Sequence, residues 1–338
     1  MKQKIALAGC GNVGTALLEI LHEKKDELKE KYSFEYDVVL ICDVVKGTVA
    51  NGHGLDMEAV LNELHRHNSL KAFEQASGSL GELMKRCGAT VLAECTPTNL
   101  KTGEPGLSHI RDALSAGVSV TTTNKGPLAA AFDELNSTAE KNGAKFLYEG
   151  VVMSGTPLID MIRNGMAGCS VRGVEGILNG TTNFILTKMG SGASYEEALA
   201  EAKALGYAEA DPTGDVEGWD AAVKVVILTK ILFGKDIAVN DVDRTGIAQI
   251  TPEQVSSAAQ KGNVIKLIAG FDVDEAGIHT YVTPREIPAS HPLAQVGGAV
   301  NAVTVKTDNL GDVTLIGPGA GRRETGQALL SDMIRMGK

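Results

Sequence analysis

The chain has 338 residues, 43% of them hydrophobic and 22% charged, with 42 acidic against 32 basic side chains and a formal charge of −10. That length allows about two domains, and the composition is that of a globular chain with enough apolar material for sizeable cores. No apolar run nears the ~20 residues that cross a bilayer, and no basic block or basic-aromatic stripe marks a surface for nucleic acid.

The first predicted element is a short buried strand, Lys4–Ala8, running into LAGCGNVG (Leu7 to Gly14). Leu7-Ala8-Gly9-Cys10 has the form of a lipoprotein cleavage box. Only Ile5 to Ala8 separate Lys4 from Gly9, however, and an export segment needs an apolar stretch of about 7–15 residues. The other reading is a phosphate turn, Gly9-x-Gly11-x-x-Gly14. It has the strand before it and a helical pattern after it (Leu17, Leu18, Leu21, Leu28) that such a turn requires. Further strands are expected at Asp37–Cys42, Thr90–Cys95, Val118–Thr123 and Lys145–Glu149. Helices are expected at Gly14–Lys31, Asp56–His67, Leu107–Ala116 and Ala129–Asn142. This alternation predicts a parallel α/β sheet of the doubly wound, Rossmann type over residues 1–150. Ligands in such sheets lie past the carboxyl ends of the strands. Asp43, the Thr96–Asn99 loop and Asn124-Lys125 are therefore expected beside the glycine turn.

Past Ser154 the pattern changes to an α+β region, residues 151–316. A helix follows Pro157, and a strand is expected at Arg172–Leu178. Helices are expected at Thr182–Met189, Tyr195–Leu205 and Gly218–Phe233. Strands are then expected at Val264–Phe271, Ile278–Thr283, Ala299–Lys306 and Val313–Ile316. The terminal GPGAGRRETG is a glycine turn feeding a helix. Cys10, Cys42, Cys87, Cys95 and Cys169 are scattered, odd in number and without C-x-x-C spacing, which suits reduced thiols in a cytoplasmic protein.

Several residues carry chemistry in this frame. Asp43 ends the second strand, where a carboxylate either binds the ribose hydroxyls of NAD or is an ordinary loop acid, and Lys46 nearby offsets its charge. Lys125 is either a solvated cation or a catalytic ammonium. In GYAEADPTGDVEGWDAAVKVV (Gly206 to Val226), Asp220 and Lys224 are four residues apart on one helix face. That helix is apolar nearly all round and therefore buried, and a buried lysine is costly unless paired or used. Tyr148-Glu149-Gly150 with Ser154-Gly155-Thr156 is either a hinge or an oxygen-rich loop for a hard cation. His65-Arg66-His67 lie on a helix, where alternate residues do not face one another, so a solvated face is expected rather than a metal site.

Together, AGCGNVG, ECTPTNLKTGEPGLSHI, TTTNKGPLA, YEGVVMSGTPLI, GILNGTTNFIL, the D-x-x-x-K helix and GPGAGRRETG resemble homoserine dehydrogenase over nearly the whole chain. The resemblance implies reversible NAD- or NADP-linked interconversion of L-homoserine and L-aspartate 4-semialdehyde, within threonine, methionine and isoleucine biosynthesis. It implies a cytoplasmic homodimer with no membrane or nucleic-acid partner, and a C-terminal segment (residues 317–338) that completes the nucleotide domain. It assigns cofactor contacts to Gly9, Gly11, Asn12, Val13, Gly14, Asp43, Thr96, Asn99, Asn124, Lys125 and Gly321. Substrate contacts fall to Asn179, Gly180, Thr181, Tyr207, Glu209 and Asp215, and catalysis to Lys125, Lys224 and Asp220. Sodium is implied near Glu149, Val152, Ser154 and Thr156, although Met153 and Thr156 depart from the commoner small-residue loop. The chain ends before the C-terminal sensing domain many relatives carry, so feedback inhibition through one is not expected. Two rivals stand beside this reading. One is a nucleotide-sensing protein without turnover. The other is a different semialdehyde-handling dehydrogenase; if it were an acylating enzyme it would need a nucleophilic thiol, with Cys95 as the thiol to check.

Overall fold

The computed structural model describes residues 2–337. The chain forms two compact units, Met1–Gly155 with Gly321–Lys338, and Thr156–Ala320.

The first unit is built on a six-stranded sheet, β1 (Gln3–Ala8), β2 (Tyr36–Asp43), β3 (Gly47–Ala50), β4 (Val91–Glu94), β5 (Ser119–Thr122) and β6 (Phe146–Leu147), in the order β3-β2-β1-β4-β5-β6. All neighbours are parallel except β3, which pairs antiparallel to β2 at the edge. β1 and β4 are adjacent although distant in sequence. The strand order therefore reverses beside β1, the point at which such sheets bind ligands. Ile5, Ala6 and Leu7 are wholly buried, as expected of a parallel strand covered on both faces.

The helices of this unit are α1 (Asn12–Glu23), α2 (Lys25–Tyr32), α3 (Met57–His67), α4 (Leu80–Cys87), α5 (Gly106–Ser115), α6 (Lys125–Lys141) and the one-turn α7 (Gly150–Met153). The single helix expected over Gly14–Lys31 is in fact two. Lys24, at φ −102° and ψ 11°, leaves the helix and donates its backbone N–H to Ile20. Glu23 to Glu27 are all charged, so no apolar stripe carries one helix through. The expected strand Lys145–Glu149 shrinks to two residues because Glu149 already has helical angles.

In the second unit Pro157 precedes only a short turn, α8 (Leu158–Asp160), which continues as a π-helix at Met161–Gly165. Then come β7 (Val171–Ile177), α9 (Gly180–Gly190), α10 (Tyr195–Ala204), α11 (Thr213–Val216), α12 (Trp219–Phe233), β8 (Asp243–Arg244), α13 (Pro252–Gln260), β9 (Asn263–Asp274), β10 (Gly277–Pro288), β11 (Val300–Thr307) and β12 (Asp312–Pro318). The strands form one sheet in the order β12-β11-β7-β9-β10-β8, antiparallel except that β8 runs parallel to β10. Val174, Ala269, Phe271, Val303 and Val305 are fully buried on it.

The C-terminal helix α14 (Arg322–Met336) belongs to the first unit. Leu329, Leu330 and Met333 join the core of β1 and α1, and Arg322 and Arg323 pair with Glu19 and Glu23 of α1. Asp332, wholly buried, accepts hydrogen bonds from Thr121 Oγ1 (2.8 Å), the Glu149 backbone N–H (3.2 Å) and Arg335 Nη2 (2.5 Å). Burial raises its pKa against the opposing pull of these partners. Asp332→Ala strands the Thr121 hydroxyl and the Glu149 N–H in a dry site and leaves Arg335 with Glu149 alone of its two carboxylates. Its unfolding free energy should therefore fall by about 3 kcal/mol in urea melts. No helix among the described residues is long and apolar enough to cross a membrane.

Candidate active site

In the first unit the chain turns sharply between β1 and α1. Gly9 sits at φ +85°, and a Cβ there would lie 2.7 Å from the Cys95 carbonyl oxygen. A Cβ on Gly14 would collide with the Gly9 carbonyl. A Cβ on Gly11 would meet nothing within 4 Å, so that glycine faces open space. Helix α1 has no side-chain cap and no acid in its first turn. Its N–H groups and positive dipole end are thus left for an anion. A crowded turn with one open glycine at an uncapped helix start fits the pyrophosphate of a dinucleotide.

Asp43 closes this turn from β2. Its Oδ2 accepts from the Cys10 N–H (2.8 Å) and its Oδ1 from the N–H groups of Val45 and Lys46 (2.9 Å each). Burial works to raise its pKa, but these backbone bonds outweigh burial and hold the carboxyl below its usual range. At the ends of β4 and β5, Asn124 caps α6 through Gly126 N–H (3.1 Å) and donates to the Thr96 carbonyl (3.3 Å). Asn99 folds its own loop by accepting from Lys101 and Thr102. Lys125 is the first residue of α6 and half-buried.

Glu94, which the sequence pattern alone does not single out, lies beneath this loop. It is wholly buried and accepts from the Thr96 N–H (3.0 Å), the Thr96 hydroxyl and Thr122 Oγ1 (3.0 Å). The signal that could have found it is an acid in the last position of an otherwise apolar strand, just before a loop of hydroxyls. Gly321 opens α14, where Thr325 Oγ1 donates to the Gly321 carbonyl (2.6 Å) and bonds Ser154 Oγ (2.7 Å).

The Glu149 side chain is almost fully buried and lies 3.6 Å from Arg335 Nη2. Val152 is buried in α7, and Ser154 turns the chain at φ 53°. Thr156 Oγ1 donates to the Pro318 carbonyl (2.9 Å). Among the described residues no three His, Cys, Asp or Glu side chains gather to hold a metal, so a cation here would depend chiefly on backbone oxygens.

In the second unit the polar residues converge. Lys224 is buried on α12, with Nζ donating to Asp220 Oδ2 and to the Leu178 carbonyl, both at 2.7 Å. Asn179 caps α9 by accepting from Thr182 N–H (2.9 Å), and its Nδ2 donates to Asp215 Oδ1 (2.7 Å) and Asp220 Oδ2 (3.1 Å). One amide thus ties two carboxylates to the lysine. Burial raises the Asp215 pKa; the Asn179 bond opposes it and the Asp220 charge adds to it. Thr181 Oγ1 donates to the Tyr207 carbonyl (2.5 Å), and Gly180 follows the cap directly. Tyr207 is 45% exposed. Glu209 stands on an exposed stretch, and the Asn179 network does not include it.

The homoserine dehydrogenase NAD-binding family model matches residues 9–149, and the homoserine dehydrogenase model matches residues 157–334. The chain belongs to the homoserine dehydrogenase family. A protein of Pseudomonas canavaninivorans named NAD(+)-dependent homoserine dehydrogenase is 44% identical, covering 98% of this chain and 96% of that one. The crystal structure of a putative homoserine dehydrogenase from Archaeoglobus fulgidus superposes with a TM-score of 0.88 at 38% identity over 99% of both chains. A hyperthermophilic archaeal homoserine dehydrogenase in complex with NADPH gives 0.85 at 31% identity, covering 100% of this chain and 98% of that one.

As a homoserine dehydrogenase, the protein is an NAD(P)-dependent oxidoreductase that interconverts homoserine and aspartate semialdehyde. The thiol chemistry of an acylating enzyme finds no support at Cys95. Burial pushes that thiol well above its ordinary range, and Glu94 and Cys10 push it further, away from the thiolate a nucleophile needs. Cys95→Ser should keep turnover within about threefold of the parent in a homoserine oxidation assay, since no step uses the sulfur.

Proposed function

We propose that Lys224 and Lys125 act together on the hydroxyl of homoserine, with Asp220 and Asn179 fixing Lys224. The observation that carries this reading is the Lys224 ammonium, buried with two of its three N–H bonds fixed by Asp220 and the Leu178 carbonyl. The third is left for a substrate oxygen. A bound oxidised nicotinamide would supply the acceptor for the hydride of the alcohol carbon. One lysine, having first released a proton to solvent, takes the hydroxyl proton as a neutral amine, and the other, still an ammonium, stabilises the negative charge developing on that oxygen.

Asp215 and Glu209 take the substrate ammonium, and Asn179, Gly180, Thr181 and Tyr207 shape the rest of its pocket. Holding an ammonium requires Asp215 ionised. Its pKa is raised, so the homoserine KM should begin to climb at a higher pH than an ordinary carboxylate would give as pH falls. Asp215→Asn should have a high KM at every pH and lose that acid limb.

Gly9, Gly11, Asn12, Val13 and Gly14 would hold the pyrophosphate of a bound cofactor; Thr96, Asn99 and Asn124 would serve its nicotinamide end, and Gly321 would complete the site. Asp43 receives the adenosine ribose. An ionised carboxylate there repels a 2′-phosphate, which favours NAD over NADP, as the name of the Pseudomonas relative also says of that protein. A sodium ion near Glu149 and the backbone of Val152, Ser154 and Thr156 fits an all-oxygen donor set. Because Arg335 already neutralises Glu149 in part, we give the ion a structural role and no chemical step. The reading is completed by a cytoplasmic homodimer serving threonine, methionine and isoleucine biosynthesis. The five free thiols suit that compartment.

The test is spectrophotometric. Homoserine with NAD⁺ at alkaline pH should give reduced nicotinamide, with NADP⁺ giving less. No reduction with either would refute the reading.

A further inference from the structure

The second unit buries another lysine, one the reaction does not use. Lys266, on β9, is 4% exposed. Its Nζ donates to Asn183 Oδ1 (2.9 Å) and the Val296 carbonyl (2.6 Å), and no carboxylate pairs with it among the described residues. Asn183, on α9 and 1% exposed, points its Nδ2 at three carbonyls of one loop: Val296 (3.1 Å), Gly298 (2.9 Å) and Val300 (3.1 Å). Thr187 Oγ1 accepts from the Gly298 N–H in the same loop (3.3 Å).

Lys266 Nζ lies between two of these oxygens, Asn183 Oδ1 and the Val296 carbonyl, whose mutual repulsion a cation offsets. Lysine only donates, so it also fixes which end of the Asn183 amide faces the carbonyls. The loop so held bears on the substrate side of the unit. A Cβ on Gly180 would lie 2.7 Å from the Ala299 carbonyl oxygen, so Ala299 sets how close the chain can come at Gly180. Asn179, next in line, holds Asp215 and Asp220.

We propose that Lys266 is a positioning residue for homoserine binding. Through Asn183 it locks the Val296–Val300 loop against Gly180 and so sets the Asn179–Thr181 segment. The inference rests on the reading that this segment contacts homoserine. Burial brings the Lys266 pKa down to about 8, so its folded form gives up a proton between about 8 and 10.5 while the unfolded chain keeps it. Stability therefore rises with pH over that window, and the buried charge is a burden on stability below it. A lysine retained purely for stability would not have that sign.

The experiment is Lys266→Met, which keeps the stem and removes the charge. The homoserine KM should rise at least about tenfold, by analogy with losing a charge-assisted contact. The Kd for NADH, read by fluorescence quenching, should stay within about twofold, and the loss of the buried charge should offset the lost hydrogen bonds in the thermal midpoint. Asn183→Ser removes the same anchor from the helix side and should reproduce the KM effect if Lys266→Met fails to fold. A lowered thermal midpoint with an unchanged homoserine KM would overturn the proposal, as would equal rises in KM and in the NADH Kd. Asn179→Ala separates the two levels. If it raises the homoserine KM while Lys266→Met does not, this inference alone fails; if neither does, the substrate segment itself is wrong.

Discussion

Lys224→Ala and Lys125→Ala should each lower kcat for homoserine oxidation by about 100-fold or more, the usual scale for losing a group that moves a proton or meets a developing charge. The two positions differ in ways that make the pair informative. Lys224 is buried and anchored, so Lys224→Ala leaves the Leu178 carbonyl without its lysine donor and takes from Asp220 the ion pair, though not the Asn179 bond, and should cost some stability too. Lys224→Met, which retains the apolar stem, separates lost packing from lost chemistry. Lys125 is half-buried at the first position of α6. The positive end of a helix is an unfavourable place for a cation, and removing that lysine relieves the repulsion. Lys125→Ala should melt like the parent and still lose turnover. NADH affinity should survive Lys224→Ala, whose site lies in the second unit. Near-parental kcat in both single variants would remove the two lysines from the chemistry.

The second large effect separates two glycines of one turn. Gly14→Ala sets a methyl against the Gly9 carbonyl, which is backbone and cannot move aside. That variant should lose stability and cofactor binding together. A Cβ at Gly11 meets nothing within 4 Å, so the urea midpoint of Gly11→Val should hold. Its side chain instead fills the space left for the pyrophosphate, and the NADH Kd should rise by about 100-fold. Equal NADH affinity in Gly11→Val and the parent would mean that the dinucleotide does not pass this turn.

The phosphate turn is legible in the sequence because three local signals coincide there: a buried tetrapeptide, glycines at fixed offsets and a change to helical spacing. The Asp220–Lys224 pair is legible because i,i+4 spacing on an apolar helix leaves few benign explanations. The break at Lys24 is not, since an all-charged stretch carries no periodicity in either direction. Strand β3 has four residues at a sheet edge and too little pattern to stand out. Helices α4 and α13 escape the periodicity reading although each opens on a capping box, Ser79 with Glu82 and Thr251 with Gln254, a signal readable in the chain itself. Asp332 and Lys266 are hidden for another reason. Each draws its meaning from partners brought together by the fold, such as Thr121 or Asn183, which no local window contains. The same holds for Asn179, whose place in GILNGTTNFIL marks a helix cap but not the two carboxylates its amide joins. Glu209 is exposed and outside the Asn179 hydrogen-bond network, so its proposed place beside the substrate ammonium rests on the resemblance.

The proposed chemistry gives both Lys125 and Lys224 a role at the homoserine hydroxyl. A crystal structure of the enzyme with oxidised cofactor and homoserine tests it most directly. Lys125 Nζ and Lys224 Nζ should both lie within about 3.2 Å of the homoserine hydroxyl oxygen. Either ammonium turned away from that oxygen, or the hydroxyl bound elsewhere than beside them, would contradict it.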